Sequence, residues 1–187
     1  MADNASSVLT PWLTFYATTG ASAATLTGLM FVVVTLVSRE MKPPIADAGV
    51  ADAGVSTFST PTVVHFGAVL LVSALLIAPW HSLWGPAALL GLAGLYGTAH
   101  MLRVTSRAKR LTKYNPDAED WCWYVILPSV GYLTLLAGAI ALPASAGVAM
   151  FVLAAAVVQL IFIGIRNSWD VVTYIAVGSR VEPPPQG

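Results

Sequence analysis

Two histidines stand inside strongly apolar stretches of the chain: His65, in Phe58-Ser-Thr-Pro-Thr-Val-Val-His-Phe66, and His100, shortly before Arg103. Imidazole titrates near neutrality and can accept and pass a proton. Ionisable groups in such surroundings are rare and costly, and they turn toward a protein interior or a watery cavity. Other polar groups recur at the ends of later apolar stretches: Glu119 and Asp120 open one, and Arg166, Asn167 and Asp170 close the last. Arg166 and Asp170 are four residues apart, hence neighbours on one helical face and able to pair, with Asn167 on an adjacent face. Brought together by their helices, these groups would form a polar cluster capable of carrying protons or ions. The plainer alternative gives each histidine a backbone or carboxylate partner on a neighbouring helix and a role in fixing register. His81 lies apart from the group, in a short turn.

Other chemistries fit less well. The two histidines with Glu119 or Asp120 would supply enough ligands for a metal. They come from separate segments without local ligand spacing, so no metal or other cofactor is expected. The chain contains no GxSxG, HExxH, P-loop or paired-glycine nucleotide motif, and no catalytic residue is assigned. Cys122, between Trp121 and Trp123, is the only cysteine; it has no evident activating base, and an intrachain disulfide is excluded. Asp47 and Asp52 belong to a tandem Ala-Asp-Ala-Gly-Val repeat whose spacing is not that of a calcium loop. A net charge of zero gives no reason to expect nucleic acid as a partner.

The elements that must position these groups follow from composition. Of 187 residues, 57% are apolar and 10% charged, and mean hydropathy is +0.75. A soluble domain carries about 25% charged residues, so lipid is the natural solvent for this chain. A helix needs about 20 apolar residues to cross a hydrocarbon core of about 30 Å. Five stretches qualify, at about 12–37, 62–80, 86–104, 121–142 and 147–165. Residues 81–85 and 143–146 read as the turns of two tight helical hairpins, with the first helix standing apart from both.

Orientation follows from Lys and Arg, which are retained in short cytoplasmic loops. Arg39 and Lys42 follow the first span, and Arg103, Arg107, Lys109, Arg110 and Lys113 lie between the third and fourth. Arg166 and Arg180 follow the fifth, so with five spans all nine positive charges fall on one side. The N-terminus is then outside and the C-terminus inside. Trp12, Trp80 and Trp84 fall at the outer boundary and Trp121, Trp123 and Trp169 at the inner one, where indoles favour the headgroup region. The histidines and their polar companions share the cytoplasmic leaflet in this topology. Met1 to Thr10 contains no Lys or Arg, so no secretory signal is expected and the first span should stay in the mature protein.

Helices in lipid associate by close approach, which favours small residues. Gly20, Ala24 and Gly28 recur every four residues in the first span and Gly91, Gly94 and Gly97 every three in the third, and both rows are expected at helix contacts. Thr18, Thr19, Ser22, Thr25 and Thr27 surround the first row, and such hydroxyls can bond their own helix carbonyls. Pro128, inside the fourth span, cannot donate to the Tyr124 carbonyl and should kink the helix. Residues 41–59 read as a flexible loop and 179–187, with Pro183-Pro184-Pro185, as a disordered tail, leaving 1–178 as one transmembrane domain. The run Gly20-Ala-Ser-Ala-Ala-Thr-Leu-Thr-Gly-Leu-Met-Phe31 resembles the opening helix of small uncharacterised bacterial polytopic membrane proteins. That resemblance implies a bacterial inner membrane and no particular activity. The expectation is therefore an all-α membrane bundle, channel-like or transporter-like and homo-oligomeric, with membrane lipids as its surroundings. The alternative is a non-catalytic accessory subunit of a larger membrane complex.

Overall fold

A computed structural model describes residues 3–40, 48–108 and 118–178. Asp47, Lys42, Lys109, Arg110, Lys113, Arg180 and the segment 179–187 lie outside the described residues, as does the side chain of Asp120. Regular structure among the described residues is entirely helical. Helix α1 (Asp3–Leu9) leads through a 3₁₀ turn (Thr10–Trp12), where Pro11 withholds an N–H, into α2 (Leu13–Glu40). Then come α3 (Ala48–Ile77), α4 (Trp84–Ala108) and α5 (Ala118–Trp121). A π-helical turn (Cys122–Ile126) joins α5 to α6 (Leu127–Ala141), and α7 (Ala146–Gly178) ends the described chain.

The helix ends differ from expectation in two places. α3 starts at Ala48 and not at Thr62, so much of the expected loop is helix, running through the second copy of the tandem repeat and past Pro61. Alanine-rich sequence has high helix propensity, and a proline removes only the one N–H owed to the Thr57 carbonyl. α7 continues through the apolar segment 171–177. Near Pro128 the disturbance is a π turn, in which the Leu127 N–H bonds the Cys122 carbonyl five residues back. Widening the helix just before the proline is one way to accommodate its missing donor.

Helix α7 is the centre of the bundle. It packs on α3 and α6 and touches α2, while α6 carries α4 on its other side. Gly131 lies against Leu160 and Gly138 against Leu153, so α6 and α7 are antiparallel. Gly94 against Leu136 and Gly97 against Tyr132 set α4 antiparallel to α6. At one end of the bundle Trp12 meets Phe151 and the Tyr16 hydroxyl donates to the Met150 carbonyl at 3.4 Å. Further along, Gly20 lies on Ser73, and further still Phe66 meets Gly164, so α3 runs antiparallel to α7.

Neither hairpin expectation about the first three spans describes the lateral order. α2 does not stand apart, since its contact with α3 is the most extensive in the bundle. α3 and α4, although joined by a six-residue connection (residues 78–83), touch only lightly because each packs on a different partner. Between them opens an apolar groove of about 530 Å³ lined by Val64, Gly67, Leu71, Leu92 and Tyr96, with Tyr132 at its floor. A short turn forces two helices to be antiparallel; it does not force them to pack.

The small-residue rows divide as well. On α2 the inward face is Tyr16, Gly20, Ala23 and Met30, with spacings of three, four and seven. Ala24 and Gly28 are exposed, and a Cβ on Gly28 or Gly91 would meet nothing within 4 Å. A strict four-residue repeat drifts about 40° per step around a 3.6-residue helix, so it leaves any straight contact line. Gly20, Gly94 and Gly97 do sit at contacts. The hydroxyls of Thr18, Ser22, Thr25 and Thr27 donate to carbonyls four residues back at 2.8–2.9 Å.

The outside of the bundle is as apolar as its inside. Leu92, Ile140, Phe151 and Phe162 are each more than 60% exposed. Ala5–Val33, Cys122–Ala141 and Ala146–Asp170 are long and apolar enough to cross a membrane, and Thr62–Ile77 is a shorter apolar helix. α4 falls outside that set; Tyr96, Thr98, His100 and Arg103 dilute its apolar run. An exterior of this kind suits lipid and not water.

Candidate functional site

His65 and Tyr132 form a buried imidazole–phenol pair. His65 Nδ1 and the Tyr132 hydroxyl are 2.9 Å apart, their ring centroids 5.7 Å, and both residues are at most 1% exposed. The pair reaches across from α3 to α6, and Gly97 of α4 makes the reach possible. The Tyr132 ring fills the space that a Cβ on Gly97 would occupy. One turn further along α4, His100 stacks on Tyr96 at 6.4 Å between centroids. Three helices thus converge on the imidazole–phenol pair.

A second group lies nearer the bundle end. Arg166 pairs with Asp170 on α7, as their spacing predicts, and with Glu119 of α5 at 2.8 Å. The Tyr124 hydroxyl donates to Asp170 Oδ2 at 3.2 Å, and the Arg166 guanidinium lies 5.7 Å from the Trp123 ring centroid. The side chains of Arg166 and Asp170 are about one-third exposed and that of Glu119 is 65% exposed, so this network is partly in contact with the surroundings. It ties the π turn and α5 to the end of α7.

The polar groups do not share one depth. Gly164 is level with Phe66, next to His65. Asp170 lies six residues further along α7, about 9 Å at 1.5 Å per residue. Asn167 falls between the two tiers and is fully buried, as is Thr62 on the facing part of α3. Gln159 donates from Nε2 to the Leu127 carbonyl at 3.0 Å, next to the proline.

No family model, curated protein or solved structure matches the chain. The reading of the site therefore rests on its chemistry alone. With Nδ1–H donated to the phenol oxygen, a neutral imidazole can take up a proton at Nε2 and give it back, while the phenol fixes the ring. Among the described residues no three of His, Cys, Asp and Glu gather as metal ligands would. Cys122 is half-buried in the π turn.

Sequence reasoning singled out His65, His100, Glu119, Arg166, Asn167 and Asp170, and missed Tyr132, Tyr124 and Thr62. A tyrosine in the middle of the expected fourth span was a usable signal, because a buried phenol needs a hydrogen-bond partner. Thr62 carried no such signal, since most hydroxyls here bond their own helix.

Proposed function

We propose that this is a five-span inner-membrane protein with its N-terminus outside, and that it works as a small homo-oligomeric channel-like or transporter-like protein for protons or a small ion. The observation that carries the reading is His65. Its imidazole is fully buried in an apolar bundle and held at Nδ1 by Tyr132, and its Nε2 has no hydrogen-bond partner among the described residues. A histidine kept only to fix register would be served by one bond at an interface. Here polar groups continue from it through Thr62 and Asn167 to the ion network at the cytoplasmic end. The bundle centre is filled by α7, so a path that includes the buried His65 would follow the α3–α7 seam and be completed at or between copies. The outward row of Ala21, Ala24 and Gly28 on α2 offers a smooth face for such a contact.

The reading is tested by ion and proton flux in liposomes holding the purified chain. His65→Ala or Asp170→Asn is expected to abolish flux while the protein still folds and inserts. If both variants transport like the parent, the polar-cluster mechanism is wrong. The groove between α3 and α4 favours a second reading, an accessory subunit that receives one helix of a larger complex. That reading requires a stoichiometric partner to survive extraction in mild detergent, and it fails if native gels show self-assembly alone.

A further inference from the structure

Thr62, His65 and Asn167 are each 0% exposed. Four of their side-chain atoms, Thr62 Oγ1, His65 Nε2 and both Asn167 Nδ2 and Oδ1, have no hydrogen-bond partner among the described residues. The helix register places them together. Phe66 meets Gly164 across the antiparallel seam of α3 and α7. Asn167 is three residues on from Gly164, and Thr62 four residues back from Phe66, so both sit one turn along the same seam. Thr62 and His65 are three apart on α3 and share a face. Buried polar atoms are satisfied in nearly all native interiors, and leaving one unmade carries its full desolvation penalty. Four such atoms within one turn of the same seam are grounds for a shared partner.

We infer that the α3–α7 seam holds a bound-water site walled by Thr62, His65 and Asn167. The walls supply hydroxyl, amide and imidazole atoms and no carboxylate. The nearest acid along α7, Asp170, is occupied by Arg166 and Tyr124. A bare cation here would be desolvated without an anion of its own and one turn from a guanidinium, which is costly. Water is neutral and offers two donors and two acceptors, which matches an amide that both gives and accepts. It also serves Nε2 in either tautomer of His65. The site gives the imidazole a second hydrogen-bonding neighbour on its cytoplasmic side. It deepens the transport reading and rests on it for its role, though not for its existence.

The test uses the full chain in detergent and radiolytic hydroxyl-radical labelling, which oxidises side chains beside bound water. His65 is expected to be labelled alongside the exposed His81, and to lose its label in a Thr62→Val/Asn167→Leu double variant. Silence at His65 in the wild type overturns the site. In thermal melts each single variant is expected to lower Tm by roughly 2–4 °C or more. A rise in Tm instead would mean the atoms were merely stranded, and would overturn it too. A Tm that climbs when sodium replaces choline would assign the site to a cation and end the water proposal. Label without flux leaves the site standing and removes the transport reading; flux without label does the reverse.

Discussion

The bond between His65 and Tyr132 makes the clearest demand on single residues. Tyr132→Phe keeps the ring and deletes one oxygen, leaving His65 Nδ1 buried without its partner. The expected cost is on the order of 1–3 kcal/mol, the penalty for an unmade buried hydrogen bond, read from denaturation in detergent. An unchanged stability would show that the pair is looser than its 2.9 Å separation implies. Glu119→Gln should cost well under about 1 kcal/mol, because exposed ion pairs contribute little. At this scale the sequence exposed His65 plainly, since an ionisable group in an apolar run is conspicuous. Tyr132 was not conspicuous, because what matters about it is a partner 67 residues away. Which atoms meet is decided by lateral packing, and no local spacing encodes that.

Helices are where the glycines act. At Gly97 the Tyr132 ring, and at Gly164 the Phe66 ring, stand where a Cβ would go, the latter at 2.5 Å. Gly97→Ala and Gly164→Ala should each cost about 1–3 kcal/mol through overpacking. Gly91→Ala meets open space and should instead gain up to about 1 kcal/mol of helix propensity. Thermal melts of the three variants side by side would decide the matter, and equal effects at all three would contradict the packing described. Sequence spacing located the glycine-bearing helices but not which glycines touch. The three-residue row of α4 turned two of its members, Gly94 and Gly97, onto α6, while Gly91 drifted off the line. Pro128 was legible as a disturbance; the form it took, a π turn immediately upstream, was not.

On the scale of the whole molecule, the apolar centres of the long helices follow from hydropathy, because an apolar run of that length has few other ways to be buried; their ends, such as Ala48 of α3 and Gly178 of α7, do not. Their lateral order does not follow from it. α3 leaves its hairpin neighbour α4 for α2 and α7, and no turn length foretells that exchange. The proposed orientation has its own check. With Cys122 replaced by Ser, Ser82→Cys and Ser145→Cys should react with a membrane-impermeant maleimide added to intact cells. Ser106→Cys should react only after lysis, and the opposite pattern would invert the topology. Gly28→Leu, on the outward face of α2, should leave the melting temperature unchanged and weaken self-association in native gels. Assembly unaffected by that bulk would move the subunit contact elsewhere.

The most direct test of the central claim, that the buried imidazole of His65 lies on a transport path, is a pH jump across liposomes with a trapped dye. Wild-type chain and His65→Ala would be reconstituted at equal, verified insertion. The account predicts proton movement through the wild type and its loss in the variant. Equal proton movement through both, from well-inserted protein, would contradict it.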